Sequence, residues 1–172
     1  MRTSSEISRR HRLLILDTGP IRELVLFHAV SEFRLENLRR SLRFIKDDRS
    51  YKSCSEYVAS FGQMTTTSAS VVVELYHWIR ETEPYGRSKL WRRVYEEFRN
   101  MGMDEEVVKL LDMDVSFVMR FGPVDGSLLE LARRHAGKNP VILTTDSPLY
   151  GECKKGGLSV SHIHEITMSE RW

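Results

Sequence analysis

The chain has 172 residues, 41% of them hydrophobic and 29% charged, with 26 basic against 24 acidic side chains and a formal net charge of +2. That is the size and composition of a globular chain with room for one buried core; no apolar run approaches the roughly 20 residues of a membrane span, and Cys54 and Cys153 are too few for a disulfide framework and read as reduced, structural thiols. The charge balance alone does not argue for nucleic acid, although basic residues cluster at Arg9–Arg12, at Arg39, Arg40 and Arg43, at Arg92 and Arg93, and at Lys154 and Lys155.

Met1–Arg12 is polar and reads as a flexible N-terminal tail. The four-residue apolar run behind it is too short for a signal-peptide core of about 7–15 residues, so a cytoplasmic protein is expected. A single domain is predicted over 13–165. Leu13-Leu14-Ile15-Leu16 has the unbroken apolar character of a strand buried on both faces of a parallel sheet. It runs into Asp17-Thr18-Gly19-Pro20, where Pro20 starts a helix to Val30. Leu35, Leu38, Leu42 and Ile45 recur at helical spacing, which predicts an amphipathic helix with a basic outer face. Residues 47–62 show no clear period and read as a surface loop with a short helix at Glu56–Ser60. The whole stretch 31–62 is thus a long helical and loop segment.

A short strand is predicted over Phe61–Thr66, then a strong helix Ala69–Thr82 capped by Thr67 or Ser68, with Glu74 near its middle. Pro84-Tyr85-Gly86 breaks the chain, and a second helix runs from Ser88 to about Asn100. Glu106–Leu111 reads as a strand and Val115–Phe121 as a helix. Val124–Ala136 is a further helix with Asp125 in its first turn. Val141–Thr144 is a second buried strand, which delivers Thr145-Asp146 at its end. A short helix from Pro148, a last strand Leu158–Ile163 and a tail complete the chain. Helices alternating with short apolar strands predict an α/β fold, a three-layer α/β/α sandwich around a mainly parallel sheet.

Asp17 and Asp146 each end a buried strand. Parallel strands share a carboxyl edge, which is where open α/β sheets bind ligands, so the two carboxylates converge. Asp125 begins the helix before the Asp146 strand, and Glu74 sits on a helix able to pack beside it. Like charges about 4 Å apart repel by about 1 kcal/mol in water-like surroundings and about 4 kcal/mol at an effective dielectric of ~20. A divalent cation offsets such repulsion, and oxygen-only ligands point to Mg²⁺ or Mn²⁺. His162 and His164 would place two imidazoles on one strand face, but a pair without a third ligand reads as structural. His28, His77 and His135 read as helix-surface or core histidines.

The order Ile15-Leu16-Asp17-Thr18, Ser70-Val71-Val72-Val73-Glu74-Leu75, Pro123-Val124-Asp125 with Leu128, Leu129, Leu131 and Ala132, and Leu143-Thr144-Thr145-Asp146 with Leu149 resembles the PIN domain family over most of the chain. The resemblance implies a Mg²⁺- or Mn²⁺-dependent endoribonuclease leaving 5′-phosphate and 3′-hydroxyl ends, similar to the small VapC-type toxins of toxin–antitoxin pairs. It gives the acidic, metal-binding and catalytic places to Asp17, Glu74, Asp125 and Asp146, and a supporting polar place to Thr144. Expected partners are an RNA substrate, an antitoxin protein and a second copy of the chain. The helix Leu35–Ile45 is expected to line an exposed groove that receives the antitoxin. Gly126 departs from the family's more usual alanine, and 31–62 is longer and more basic than its helical clip. Two alternatives stay open: a catalytically inactive PIN-like scaffold that binds RNA or protein, and a DNA-directed nuclease. Leu16-Asp17-Thr18-Gly19 also resembles the aspartic-protease triplet, but that fold is all-β. Asp17 lacks the second aspartate, two residues on, of a haloacid dehalogenase phosphatase.

Overall fold

The computed structural model describes residues 12–33, 36–82 and 87–168. The predicted tail before Arg12, Leu35 and the Pro84-Tyr85-Gly86 break lie outside the described residues. The strands are β1 (Leu14–Leu16), β2 (Thr65–Ser68), β3 (Met103–Glu106), β4 (Val141–Thr144) and β5 (Val160–His162). They form one parallel sheet in the order β3-β2-β1-β4-β5. β1 and β4 are its centre, with Leu14 opposite Val141 and Leu16 opposite Leu143. Both strands are buried along their whole length, as their apolar runs require.

The helices are α1 (Thr18–Phe33), α2 (Asp48–Ala59), α3 (Ala69–Thr82), α4 (Arg87–Met101), α5 (Val115–Phe121), α6 (Pro123–Arg134), α7 (Ser147–Lys155) and α8 (Ile163–Met168). The chain steps from β1 to β2 to β3 toward one edge, then returns past β1 to β4 and β5. Right-handed crossovers therefore place the first helices on one face and α6 and α7 on the other. The packing agrees: α1 contacts α2, α3 and α4, while α6 lies across β1, β2 and β4. The result is the expected three-layer α/β/α sandwich. α1 is apolar nearly all round, as a helix enclosed by neighbours should be. Its Ile21, Leu24, Val25, Leu26 and Ala29 are all buried.

Several predicted elements are corrected. Residues 36–41 form only a 3-10 helix, and the predicted helix does not continue to Ile45. The cause is Glu23, a fully buried carboxylate on α1. It accepts the main-chain N–H groups of Arg43 at 2.9 Å, Phe44 at 3.1 Å and Ile45 at 3.0 Å. A helix would have spent those amides on carbonyls four residues back. Leu38, Leu42 and Ile45 are buried in the core, so they do not line an open groove.

The predicted loop after it is instead the helix α2. Asp47 caps it, accepting the Ser50 N–H at 2.7 Å, and Cys54, Tyr57 and Val58 form its buried face. β2 is Thr65–Ser68, later than predicted, because β-branched threonines suit a strand when their hydroxyls find partners. Thr67 donates to the Leu16 carbonyl at 2.7 Å and Thr66 to that of Asp104 at 3.1 Å. β3 is the charged edge Met103–Glu106 rather than Glu106–Leu111. β2 offers only four residues to pair with, and Ser68 already faces Glu106. Leu110 and Leu111 are left exposed on a 3-10 turn. The last strand is shorter than predicted, and the expected tail begins with α8, whose Ile163 and Ile166 pack inward. Among the described residues no helix is long and apolar enough to cross a membrane.

The capping role of Asp47 is open to test. Asp47→Ala should lower the free energy of unfolding in urea by about 0.5–2 kcal/mol. Amide exchange in Ser50–Cys54 should accelerate with it. A variant as stable as the wild type would show that α2 does not depend on this cap.

Candidate active site

The strand order reverses between β1 and β4, so their following loops diverge and leave a crevice at the carboxyl edge. Asp17 stands at the end of β1, its N–H still bonded to the Leu143 carbonyl at 3.1 Å. The buried hydroxyl of Thr144 donates to Asp17 Oδ2 at 2.6 Å and accepts the Asp146 N–H at 2.8 Å. One side chain thus ties both strand-end acids together. Asp17 Oδ1 accepts the Thr18 N–H at 2.6 Å, and the Thr18 hydroxyl donates to Glu74 on α3. Asp146 also caps α7 by accepting the Leu149 N–H at 2.7 Å.

Glu74 and Asp125 arrive on α3 and α6. Beneath their first turns runs a buried hydroxyl relay. Ser127 donates to the Val124 carbonyl at 2.6 Å, so the 2.6 Å contact between Ser68 and Ser127 takes its proton from Ser68. Ser68 in turn accepts the Val71 N–H at 3.3 Å, capping α3.

Asp17, Glu74, Asp125 and Asp146 all line one cavity of about 550 Å³. Asp17 is buried, Asp125 half-buried, and Glu74 and Asp146 are exposed. Burial pushes the Asp17 carboxyl up to about 6; the hydrogen bonds from Thr144 and Thr18 oppose this, while Glu74 and Asp146 add to it. Burial pushes Asp125 up to about 7, with repulsion from Asp17, Asp146 and Glu74 behind it. Among the described residues no cation is a leading influence on either acid. Excess negative charge on hard oxygen donors is the chemistry that suits Mg²⁺ or Mn²⁺. As placed, no three acidic, histidine or cysteine side chains among the described residues close on one ion. The donor set fits such a cation in charge and chemistry.

Sequence reasoning passed over three other residues of this cavity, Arg22, Trp78 and Phe121, and met Arg43 only as one member of a basic cluster. Trp78 had a signal, since it lies one helical turn beyond Glu74. Gly19 was read as a turn residue but lies inside α1. A Cβ there would stand 1.8 Å from Thr145 Oγ1, so glycine is what lets the β1 and β4 loops touch. At Gly126 an alanine Cβ would stand 2.7 Å from a Val118 methyl and 3.3 Å from the Met113 sulfur, so the position has little room for a side chain.

The remaining candidates are structural. The chain turns into α8 after His162, so His162 and His164 do not share a strand face. His162 Nε2 lies 3.1 Å from the Thr145 carbonyl. His28 packs on Tyr51, His135 sits 2.7 Å from Glu106, and His77 is exposed. Cys54 and Cys153 are free, buried thiols, pushed up to about 12 by burial. A second cavity of about 460 Å³ lies toward the opposite edge of the sheet, where Arg93 and Glu97 already pair at 2.7 Å. No protein-family model matches the chain, and no curated protein matches it in sequence.

Burial of these acids, with their mutual repulsion behind it, makes stability depend on pH. Asp17 and Asp125 have folded values near 6 and 7, against about 4 in an unfolded chain. The unfolded chain therefore loses its protons first. Without metal, stability should be greatest below about pH 4 as far as these groups act, and fall as pH rises to about 7. Asp125→Asn should raise the metal-free Tm near neutral pH, by about 2–4 °C for each kcal/mol relieved. It should leave the Tm unchanged in acid, where both states are protonated. Equal melts at neutral pH would remove Asp125 from the charged cluster.

Gly19→Ala should separate the two loops and destabilise the protein by roughly 1–3 kcal/mol. Gly19→Ala combined with Thr145→Ser, which deletes only a methyl and leaves the 1.8 Å contact with Oγ1, should recover little. Gly19→Ala with Thr145→Gly should recover more. Urea unfolding of the three proteins decides this, and an unperturbed single variant would disprove the close approach.

Proposed function

We propose that this chain is a PIN-like, Mg²⁺- or Mn²⁺-dependent endoribonuclease that hydrolyses RNA phosphodiester bonds. The observation that carries the reading is the convergence of four carboxylates, from four separate elements, on one cavity at the strand-order reversal. None of the four acids is offset by an ion pair among the described residues, and burial with mutual repulsion raises the carboxyls of Asp17 and Asp125.

Asp17, Asp125 and Asp146, with Glu74 directly or through water, are the residues that would hold the metal. When bound, the metal lowers the pKa of a water and neutralises charge developing at phosphorus. Thr144 keeps the Asp17 carboxylate turned toward the crevice and fixes the amide of Asp146 beside it. Thr18 restrains Glu74, and the Ser68–Ser127 relay holds the helix starts that bring Glu74 and Asp125 together. The resemblance to small toxin nucleases extends the proposal to a toxin with an antitoxin partner, a homodimeric form and a cytoplasmic location.

The test uses purified protein with RNA and DNA side by side, in Mn²⁺ and in chelator. The wild type should cleave RNA only with metal. Asp17→Asn and Asp146→Asn should each cut the rate by on the order of 10²-fold or more, since even groups behind a metal's direct ligands are worth 10–100-fold. Cleavage of DNA alone would redirect the proposal to a DNA nuclease. No cleavage of either would favour the binding scaffold.

A further inference from the structure

Arg43 lines the acidic cavity although its neighbours in sequence are anchored elsewhere. Leu42 and Ile45 are buried, and Phe44 packs edge-on against His162 with ring centres 5.4 Å apart. The main chain at Arg43 is held by Glu23, which accepts its N–H at 2.9 and 3.2 Å and the two following amides. A carboxylate at 0% exposure is a costly way to hold a surface stretch. It fixes the point from which the Arg43 side chain leaves the core.

Arg22, one residue before Glu23, lines the same cavity. Its guanidinium lies over the Trp78 ring at 5.6 Å, and its Nε is buried without a hydrogen-bond partner among the described residues. Neither Arg22 nor Arg43 makes an ion pair among the described residues. Neither is among the leading influences on the Asp17 or Asp125 carboxyl. Two guanidiniums therefore face a crevice with acids at its floor, yet are not committed to those acids. Guanidinium is the side chain best matched to a phosphodiester anion.

We propose that Arg43, with Arg22, binds the substrate phosphates flanking the acidic cluster, and that Glu23 is the positioning residue that holds Arg43 there. The assignment rests on the nucleic-acid reading of the site and assigns the anchor for its backbone. It also gives part of the long segment 31–62 a role, which is to deliver one arginine to the crevice.

The test is binding of a fluorescent oligouridylate to the full chain in chelator, followed by anisotropy over a range of salt. Arg43→Gln should weaken binding about tenfold, as expected for one charge-assisted contact. It should also make the salt dependence shallower by about 0.7 in log–log slope, the loss of one phosphate contact on a single strand. Arg43→Lys should keep the slope. Lys52→Gln, an exposed residue on α2 outside the cavity, should change neither quantity. Glu23→Gln should reproduce the Arg43→Gln slope, and the double variant should lose no more than either single one. Glu23→Asp, which keeps the charge, serves as the milder variant should Glu23→Gln melt below the assay temperature.

A wild type that does not bind, or an Arg43→Gln protein with wild-type affinity and slope, overturns the proposal. Additive losses from Glu23 and Arg43 overturn the positioning role. Mn²⁺-dependent cleavage is followed on the same preparations. Arg43-dependent binding without cleavage upholds the anchor and removes the nuclease reading, whereas cleavage and binding both indifferent to Arg43 remove only the anchor.

Discussion

The parallel pairing of β1 with β4 is the constraint on which the candidate site depends. These strands are neighbours in the sheet but are separated by more than a hundred residues of chain. The strand order reverses between them, so nothing in the connections closes the crevice at their ends. Thr144 turns this adjacency into a defined geometry. Its single hydroxyl satisfies Asp17 and receives the amide of Asp146, so the two acids cannot move independently. The contact of Gly19 with Thr145 sets how closely the loops approach. A buried polar network of this kind is stabilising only when each member is satisfied, which ties the carboxyl edge to a single arrangement.

The fold treats its buried carboxylates in two opposite ways. Glu23 is wholly enclosed and surrounded by main-chain donors, so its charge is met by the amides of 43–45. Asp17 is nearly as buried but faces other acids, and its two hydrogen bonds do not hold its carboxyl down. The first arrangement resembles the inside of a well-satisfied core. The second leaves negative charge where a ligand can meet it. Perturbed carboxylates grouped in a cleft are a physical ground for a functional reading, and here the contrast lies within one molecule.

The same contrast explains how the basic segment relates to the acidic crevice. Arg43 reaches the cavity because Glu23 interrupts what would have been a helix. Arg22 reaches it because α1 starts directly after Asp17 and brings the arginine to the cavity one turn in. Trp78, one turn beyond Glu74, supplies an aromatic surface beneath Arg22. Charge of both signs therefore meets in one crevice without an ion pair between them among the described residues.

Local pattern was enough to read the two central strands, the helices bearing Glu74 and Asp125, and the α/β class. Their signals are unbroken apolar runs and 3.6-residue periodicity, which follow from burial on two faces or one. It was enough, too, to single out Asp17 and Asp146, because a residue at the end of a buried strand can only face the carboxyl edge; Thr144 came only through the family resemblance. Where tertiary contacts supplied the hydrogen bonds, local pattern failed. The amides of 43–45 went to Glu23 instead of a helix, the threonines of β2 paired through their hydroxyls, and the length of β2 set where β3 ends. Arg22 was hidden and Arg43 stood out only as part of a basic cluster, since an arginine among many carries no mark of the cavity it faces. Sequence by itself determined the two central strands, the helices bearing Glu74 and Asp125, and where the acids sit along them. Only the tertiary structure decided which charges are met and which are left open, because satisfaction of a buried polar group depends on donors brought from far along the chain.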